Sequence, residues 1–398
     1  MFLKTHKTAS TTLATIIQRY GYKHNLTFAL PVQGYVFQGF RPFKINDVYQ
    51  YNKYNHPAPS SAKRESDGGA GGGADFHMLV NHVVYNRPEM EATVPNALYV
   101  TSLRDPVRQF ESAFVYFDMA RQTGVAKSKP DPISAFMANA EELRTKIGYG
   151  KWQLQNGQLY DLGLTIRGKV TVDGYATYPY HVRYKIGKLD DELDLVVITE
   201  YFDESLILLK KLLCWELDDI VYVRKRTRQA EFRYELSADV RDRVRRWNHA
   251  DVMLYEHFNR TLWRKISEYG PNFWRELQQF RNRVDEITVM CDNHGNATSQ
   301  QGDDKTNKTV MKDELHHMDI VRMDHGPKMC QELYRYDSKY VDLIRAKMKS
   351  KSSSAGADTG GAFWARAPRF KNNNKKGRGR GRGRGEREEE GKIKGERR

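Results

Sequence analysis

Hydrophobic positions along this chain repeat one scheme: a short apolar run, a polar turn, then apolar residues at helical spacing. In FLKTHKTASTT (2–12) the apolar run is brief, residues 4–12 are polar or small, and Leu13, Ile16, Ile17 and Tyr20 then fall on one face of a helix. ALYVTSLRDPVRQFESAFVYF (97–117) repeats it. ALYVTSL predicts a strand, Asp105 is a good N-cap, Pro106 fits the first helical position, and Val107, Phe110, Phe114 and Phe117 make a buried face. LDLVVITE (193–200) is apolar on both faces, as a buried parallel strand is, and Asp203 is expected to cap the helix carrying Leu206, Leu209, Leu212 and Leu213. Residues 237–266 and 272–283 have helical periodicity, with Trp247, Leu254, Phe258 and Trp263 expected in the core. Strands alternating with helices predict an α/β fold of three layers around a central parallel sheet.

Both turns have the chemistry of an anion site. After a strand, the turn formed by Thr8, Ala9, Ser10, Thr11 and Thr12 offers backbone N–H groups and the positive end of a helix, and Lys7 adds a point charge. Ordinary N-capping threonines explain the stretch equally well. A nucleotide-hydrolase loop needs G-x-x-x-x-G-K-[ST], and no glycine precedes Gly21, which argues against a kinase or ATPase cradle. In the second unit Arg104 stands at the mouth of the turn and Ser112 lies two turns into the helix, with Arg108 one turn before it. A guanidinium fork plus a hydroxyl suits a phosphate monoester. Between the units, FHMLVNHVVYN (76–86) supplies His77 and His82; its alternation of Leu79, Asn81 and Val83 against Val80, His82 and Val84 predicts a strand near the ligand edge of the sheet.

Composition changes the picture mainly at the C-terminus. The 398-residue chain carries a net charge of +15, yet residues 351–398 alone hold 15 Lys and Arg against 6 Asp and Glu. That stretch is too polar to bury a core and is expected to be a disordered basic tail, leaving residues 1–350 as the folded domain. Its Gly-Arg repeat (377–385) suits anionic surfaces or RNA through counterion release, but no aromatic lies inside the repeat to stack a base, so nucleic acid is the weaker partner. SAKRESDGGAGGGAD (61–75) reads as a flexible insert. No apolar run reaches the roughly 18 residues that span a bilayer. Met1 stands on the first strand and leaves it about three residues long against a usual five or six, so missing upstream sequence is expected. Cys214 is expected in the core, Cys291 and Cys330 are free to pair in an oxidising compartment, and sequons occur at Asn25, Asn259, Asn296 and Asn307.

KTHKTASTT followed by LRDPVRQFESAF resembles the two sulfonucleotide-binding motifs of carbohydrate sulfotransferases. NGQLYDLGL (156–164), EYFDESLILLKKLLCWELDDIVY (200–222) and LYEHFNRTLW (254–263) resemble the galactose-3-O-sulfotransferase family in particular, over roughly residues 2–345. The resemblance implies a P-loop-like sulfotransferase fold, 3′-phosphoadenosine-5′-phosphosulfate as donor, no metal, and the 3-hydroxyl of a β-galactosyl residue on a glycolipid or glycan as acceptor. It implies that Lys7 and the amides of Thr8, Ala9, Ser10, Thr11 and Thr12 hold the 5′ end, and that Arg104 and Ser112 hold the 3′-phosphate. It maps an Asn-His pair onto Asn81 and His82, making His82 the base, with His77 second and Lys7 assisting the leaving group. His6 is expected to shape the turn. Where the family continues with Met-Arg this chain has Val83 and Val84, which leaves acceptor choice open. A Golgi membrane enzyme with a lumenal catalytic domain is implied, its anchor outside this sequence. The rival readings are a nucleic-acid-binding protein working through its tail and a sulfotransferase for another sugar such as a uronate.

Overall fold

The computed structural model describes residues 1–37, 41–49, 76–127, 131–148, 150–164, 179–223, 226–228, 233–296, 308–313, 318–323 and 326–355. The Gly-rich insert (61–75) lies outside them, as does the tail beyond residue 355. Three short parallel strands, β1 (Phe2–Leu3), β2 (Val100–Leu103) and β3 (Leu195–Ile198), form a sheet in the order β1-β2-β3. Phe2 pairs with Val100 and Val100 with Leu195. All of their residues are buried, as expected of a parallel sheet covered on both faces.

Each strand runs into a helix at its carboxyl end. β1 leads to α1 (Ser10–Lys23), β2 to α2 (Pro106–Tyr116), and β3, through one tight turn, to helix Phe202–Leu213. Among the helices between α2 and β3 are a five-residue helix, α3 (Gly157–Asp161), and α4 (Pro179–Glu192); the helix after β3 is α5. Then follow α6 (Ala238–Trp247), α7 (His249–Tyr269) and α8 (Asn272–Asn296), and finally α9 (Lys328–Tyr334) and α10 (Asp337–Ala355). Strands Arg226–Arg228, Lys308–Asp313 and Met318–Met323 make a second, antiparallel sheet with the last in the middle.

The main core packs around the parallel sheet, with Leu13, Ile16 and Ile17 of α1 against it. A second cluster joins Val107, Phe110 and Phe114 of α2 to Val244 and Trp247 of α6. α10 lies on α1, where Lys347 Nζ donates to the Tyr22 carbonyl (3.0 Å) and Lys4 forms an ion pair with Asp337. Cys291 and Cys330 form a disulfide that joins α8 to α9. No helix of the described residues is long and apolar enough to cross a membrane.

Several expectations are corrected. Residues 78–84 form no continuous strand: Met78, His82 and Val84 make isolated bridges to Phe28, Val36 and Pro42, and Leu79 accepts a hydrogen bond from Phe2 N–H (2.8 Å). Alternation misled because Leu79, Val80, Val83 and Val84 are all buried. Asp203 does not cap α5; Tyr201 holds that position without a side-chain bond, and Asp203 instead accepts from the Tyr222 hydroxyl (2.8 Å) and pairs with Arg281. Cys214 ends α5 with φ +53° and is exposed. Trp263 is 37% exposed. The helical stretch 237–266 is broken at Asn248, whose side chain is used elsewhere, and α10 runs past residue 350 to Ala355.

Candidate active site

The carboxyl ends of β1 and β2 open into a cavity of about 620 Å³, within the size range of small-ligand sites. It is lined by residues 6–12 of the first turn, by Arg104, Ser112 and Tyr116 of the second unit, by His82, and by Thr199, Tyr222 and Tyr336. The structure therefore brings together Lys7, Thr8, Ala9, Ser10, Thr11, Thr12, Arg104, Ser112 and His82. It leaves two candidates outside. His77 is exposed, bonded through Nδ1 to the Thr27 hydroxyl (2.5 Å), and Arg108 is exposed and absent from the cavity wall.

The first turn is a backbone cradle. Lys7 and Ala9 both have positive φ (62° and 55°) although neither is glycine, and the neighbouring bonds hold them there. Thr5 Oγ1 donates to the Ser102 carbonyl (2.5 Å), Thr8 Oγ1 meets Ser102 Oγ (2.8 Å), and Ser10 Oγ donates to the Thr5 carbonyl (2.5 Å). The Thr8 and Ser10 hydroxyls are thus spent on β2 and on the turn. α1 begins after Ala9, which gives no side-chain cap; the Thr12 amide donates to the Ala9 carbonyl (3.0 Å), while those of Ser10 and Thr11 keep their donor capacity for an anion. The Lys7 ammonium sits 3.8 Å from the centre of the Tyr116 ring, beside the mouth of this turn.

The second unit is built differently. Asp105 caps α2, accepting from the amides of Val107 and Arg108 (both 3.1 Å). Its helix end is already satisfied, and side chains face the cavity instead: the Arg104 guanidinium, which also reaches the Lys7 carbonyl (3.3 Å), and buried Ser112.

His82 lies between the units. Its Nδ1 is 2.8 Å from the Lys4 carbonyl; a carbonyl only accepts, so Nδ1 carries the hydrogen and Nε2 the lone pair. Burial, reinforced by the positive charge of Lys4 and by His6 and Lys7, holds its pKa well below the ordinary 6.5, so it is neutral near pH 7. The His6 ring stacks on His82 with centroids 4.1 Å apart. His6 was read from sequence as a turn residue only. The structure gives it an acid partner: Asp161 Oδ2 lies 2.8 Å from both His6 Nδ1 and His6 N. Gln109 and Gln153 complete this polar layer, Gln109 donating to the His6 carbonyl (3.3 Å) and Gln153 to Asp161 Oδ1 (3.2 Å). Asp161, Gln153 and Gln109 were missed. The signal for Asp161 was its place in NGQLYDLGL, a polar cluster inside an otherwise apolar stretch.

The galactose-3-O-sulfotransferase family profile matches residues 1–332. Among curated proteins, the chain is 34% identical to a galactosylceramide sulfotransferase of Bos taurus and 33% identical to that of Homo sapiens, each over 75% of this chain and 64% of the relative. It is 34% identical to human galactose-3-O-sulfotransferase 2 over 75% of this chain and 69% of the relative. The chain thus spans a little under two thirds of the length of the galactosylceramide sulfotransferases it matches. No solved structure matches it. With a profile covering most of its length, and with both anion turns and the intervening histidine gathered at one cavity, the chain belongs to the galactose-3-O-sulfotransferase family.

Proposed function

We propose that this chain transfers a sulfuryl group from 3′-phosphoadenosine-5′-phosphosulfate to the 3-hydroxyl of a terminal β-galactosyl residue on a glycolipid or glycan. The observation that carries the reading is one cavity holding an uncapped helix N-terminus, an Arg104–Ser112 pair and a neutral histidine with its Nε2 lone pair open. The amides of residues 8–11 and Lys7 receive the 5′-phosphosulfate, the Thr12 amide being bonded to the Ala9 carbonyl, and Arg104 with Ser112 receives the 3′-phosphate. The acceptor oxygen attacks sulfur, its proton passes to His82 Nε2, and the bond from sulfur to the bridging phosphate oxygen breaks. Charge that develops on that oxygen is met by Lys7 and the α1 dipole, and the 3′,5′-bisphosphate leaves. Neutrality of His82 favours this role, because a protonated imidazole accepts nothing.

The names of the relatives support galactose as the acceptor sugar. The Cys291–Cys330 disulfide supports folding in an oxidising lumen, and with the family it supports a Golgi placement. The test is a transfer assay with purified chain, labelled donor and a panel of β-galactosides, galactosylceramide, uronates and other sugars. Sulfation confined to galactosides at O3 is the expected result; label on a uronate or on no sugar at all removes the proposal. Deleting residues 356–398 is expected to leave transfer intact, whereas a nucleic-acid-binding protein would lose its salt-sensitive RNA binding.

A further inference from the structure

The short helix α3 is tied to all three segments that carry the site. Gln158, fully buried, spans both main-chain groups of Arg104: its Oε1 accepts the Arg104 N–H (2.8 Å) and its Nε2 donates to the Arg104 carbonyl (3.0 Å). Three residues on, the Asp161 carboxylate holds His6, and the Asp161 carbonyl accepts the N–H of Tyr85 (2.9 Å), on the segment that bears His82. The helix is anchored from behind by buried polar groups. Asp251 accepts the amides of Gln158 (3.1 Å) and Leu159 (2.8 Å), Asn248 Oδ1 accepts that of Asn156 (2.8 Å), and Asn156 Oδ1 accepts that of Asp251 (3.0 Å).

Arg104 is the first residue beyond β2, where the sheet ladder no longer fixes the peptide: the pairing of β2 with β3 ends at Leu103 and Ile198. A guanidinium at the end of a flexible side chain aims only as well as its own Cα is held. Gln158 imitates the missing strand partner by making both bonds a neighbouring backbone would make. We propose that Gln158 is a positioning residue for the nucleotide's 3′-phosphate, acting through the Arg104 peptide and touching no ligand itself. This rests on the donor reading above, in which Arg104 meets that phosphate. A misplacement of about 1 Å in such a clamp is enough to cost on the order of a hundredfold in rate.

The experiment compares binding of adenosine 3′,5′-bisphosphate and adenosine 5′-monophosphate by titration calorimetry to the wild-type chain, Gln158→Met, Arg104→Ala and the double variant. Methionine keeps the length of glutamine and removes both bonds. The expected result is that Gln158→Met weakens the bisphosphate about tenfold and leaves the monophosphate within about twofold. The double variant then binds no more weakly than Arg104→Ala alone, because the two residues act in series. Equal weakening of both ligands, or additive losses in the double variant, overturns the positioning role, since a general packing defect produces those patterns. A wild-type chain that does not distinguish the two nucleotides refutes the donor reading and the inference with it. A wild type that prefers the bisphosphate, with the preference untouched in Gln158→Met, refutes the inference alone. If Gln158→Met does not fold, Gln158→Asn decides: its amide is one methylene too short to span Arg104, so it must lose the same preference.

Discussion

The two strand–turn–helix units stand on adjacent strands and look alike in sequence, yet they present different groups to the cavity between them. At the first turn side-chain hydroxyls hold the loop, Thr12 N–H bonds the Ala9 carbonyl, and no side chain caps the amides of Ser10 and Thr11. At the second, Asp105 consumes the amides of Val107 and Arg108, and a ligand is left to Arg104 and Ser112. A shared topology therefore does not fix which groups remain at the helix start; that depends on whether the capping position carries an acceptor. Ala9 cannot accept a hydrogen bond through its side chain, whereas Asp105 can.

This contrast is sharpened first at the residue standing between the units. His82→Ala is expected to lower turnover about 100- to 10,000-fold with bisphosphate binding nearly unchanged, while His77→Ala is near wild type in the same assay. With the His82 pKa held well below 6.5 by burial, kcat/KM is expected to keep its value as pH falls through the ordinary imidazole range and to drop only below it. An acid limb at or above 6.5 breaks the assignment. The next effect is smaller and separates the units. Arg104→Ala is expected to weaken bisphosphate binding roughly ten- to a hundredfold, the loss of a charged hydrogen bond, without a matching loss for the 5′-monophosphate.

A third expectation concerns stability. Burial raises the Asp251 carboxyl from 3.8 to about 7. The folded chain therefore holds a proton that the unfolded chain releases, and this group's contribution falls as pH rises from about 4 to about 7. Urea midpoints of wild type and Asp251→Asn, measured across that window, should shift relative to each other in favour of Asn as pH rises; a constant difference contradicts it. The smallest effect tests the cradle. Ala9→Gly relieves a left-handed residue and is expected to raise stability by about 1 kcal/mol, and Ala9→Val to lower it, as read by thermal unfolding.

Much of this was legible from the chain, because both units are written locally: an apolar run, a turn, and helical spacing within about twenty residues. Asp105 announced its cap through Pro106. Other features depended on distant partners. Left-handed backbone at Lys7 and Ala9 was invisible without glycine, since Ser102 of the neighbouring strand stabilises it. The pairing of His6 with Asp161 joins residues 155 apart in sequence. Asn248 breaks a periodic helix because it serves Asn156 far away, and Cys214, in an apolar run, is exposed because the helix ends there.

The Cys291–Cys330 bond has a consequence for where the cavity can be completed. It closes a loop with a sequence separation of 39, which restricts the unfolded chain by about 4 kcal/mol in the chain-entropy picture. Just beyond it come Tyr336, which forms part of the cavity wall, and Asp337, which pairs with Lys4. The last wall is thus delivered by a covalent staple whose formation depends on the surrounding thiol chemistry. Chains folded among reducing thiols must hold that wall by non-covalent contacts alone, so cellular geography enters the architecture of the cavity itself.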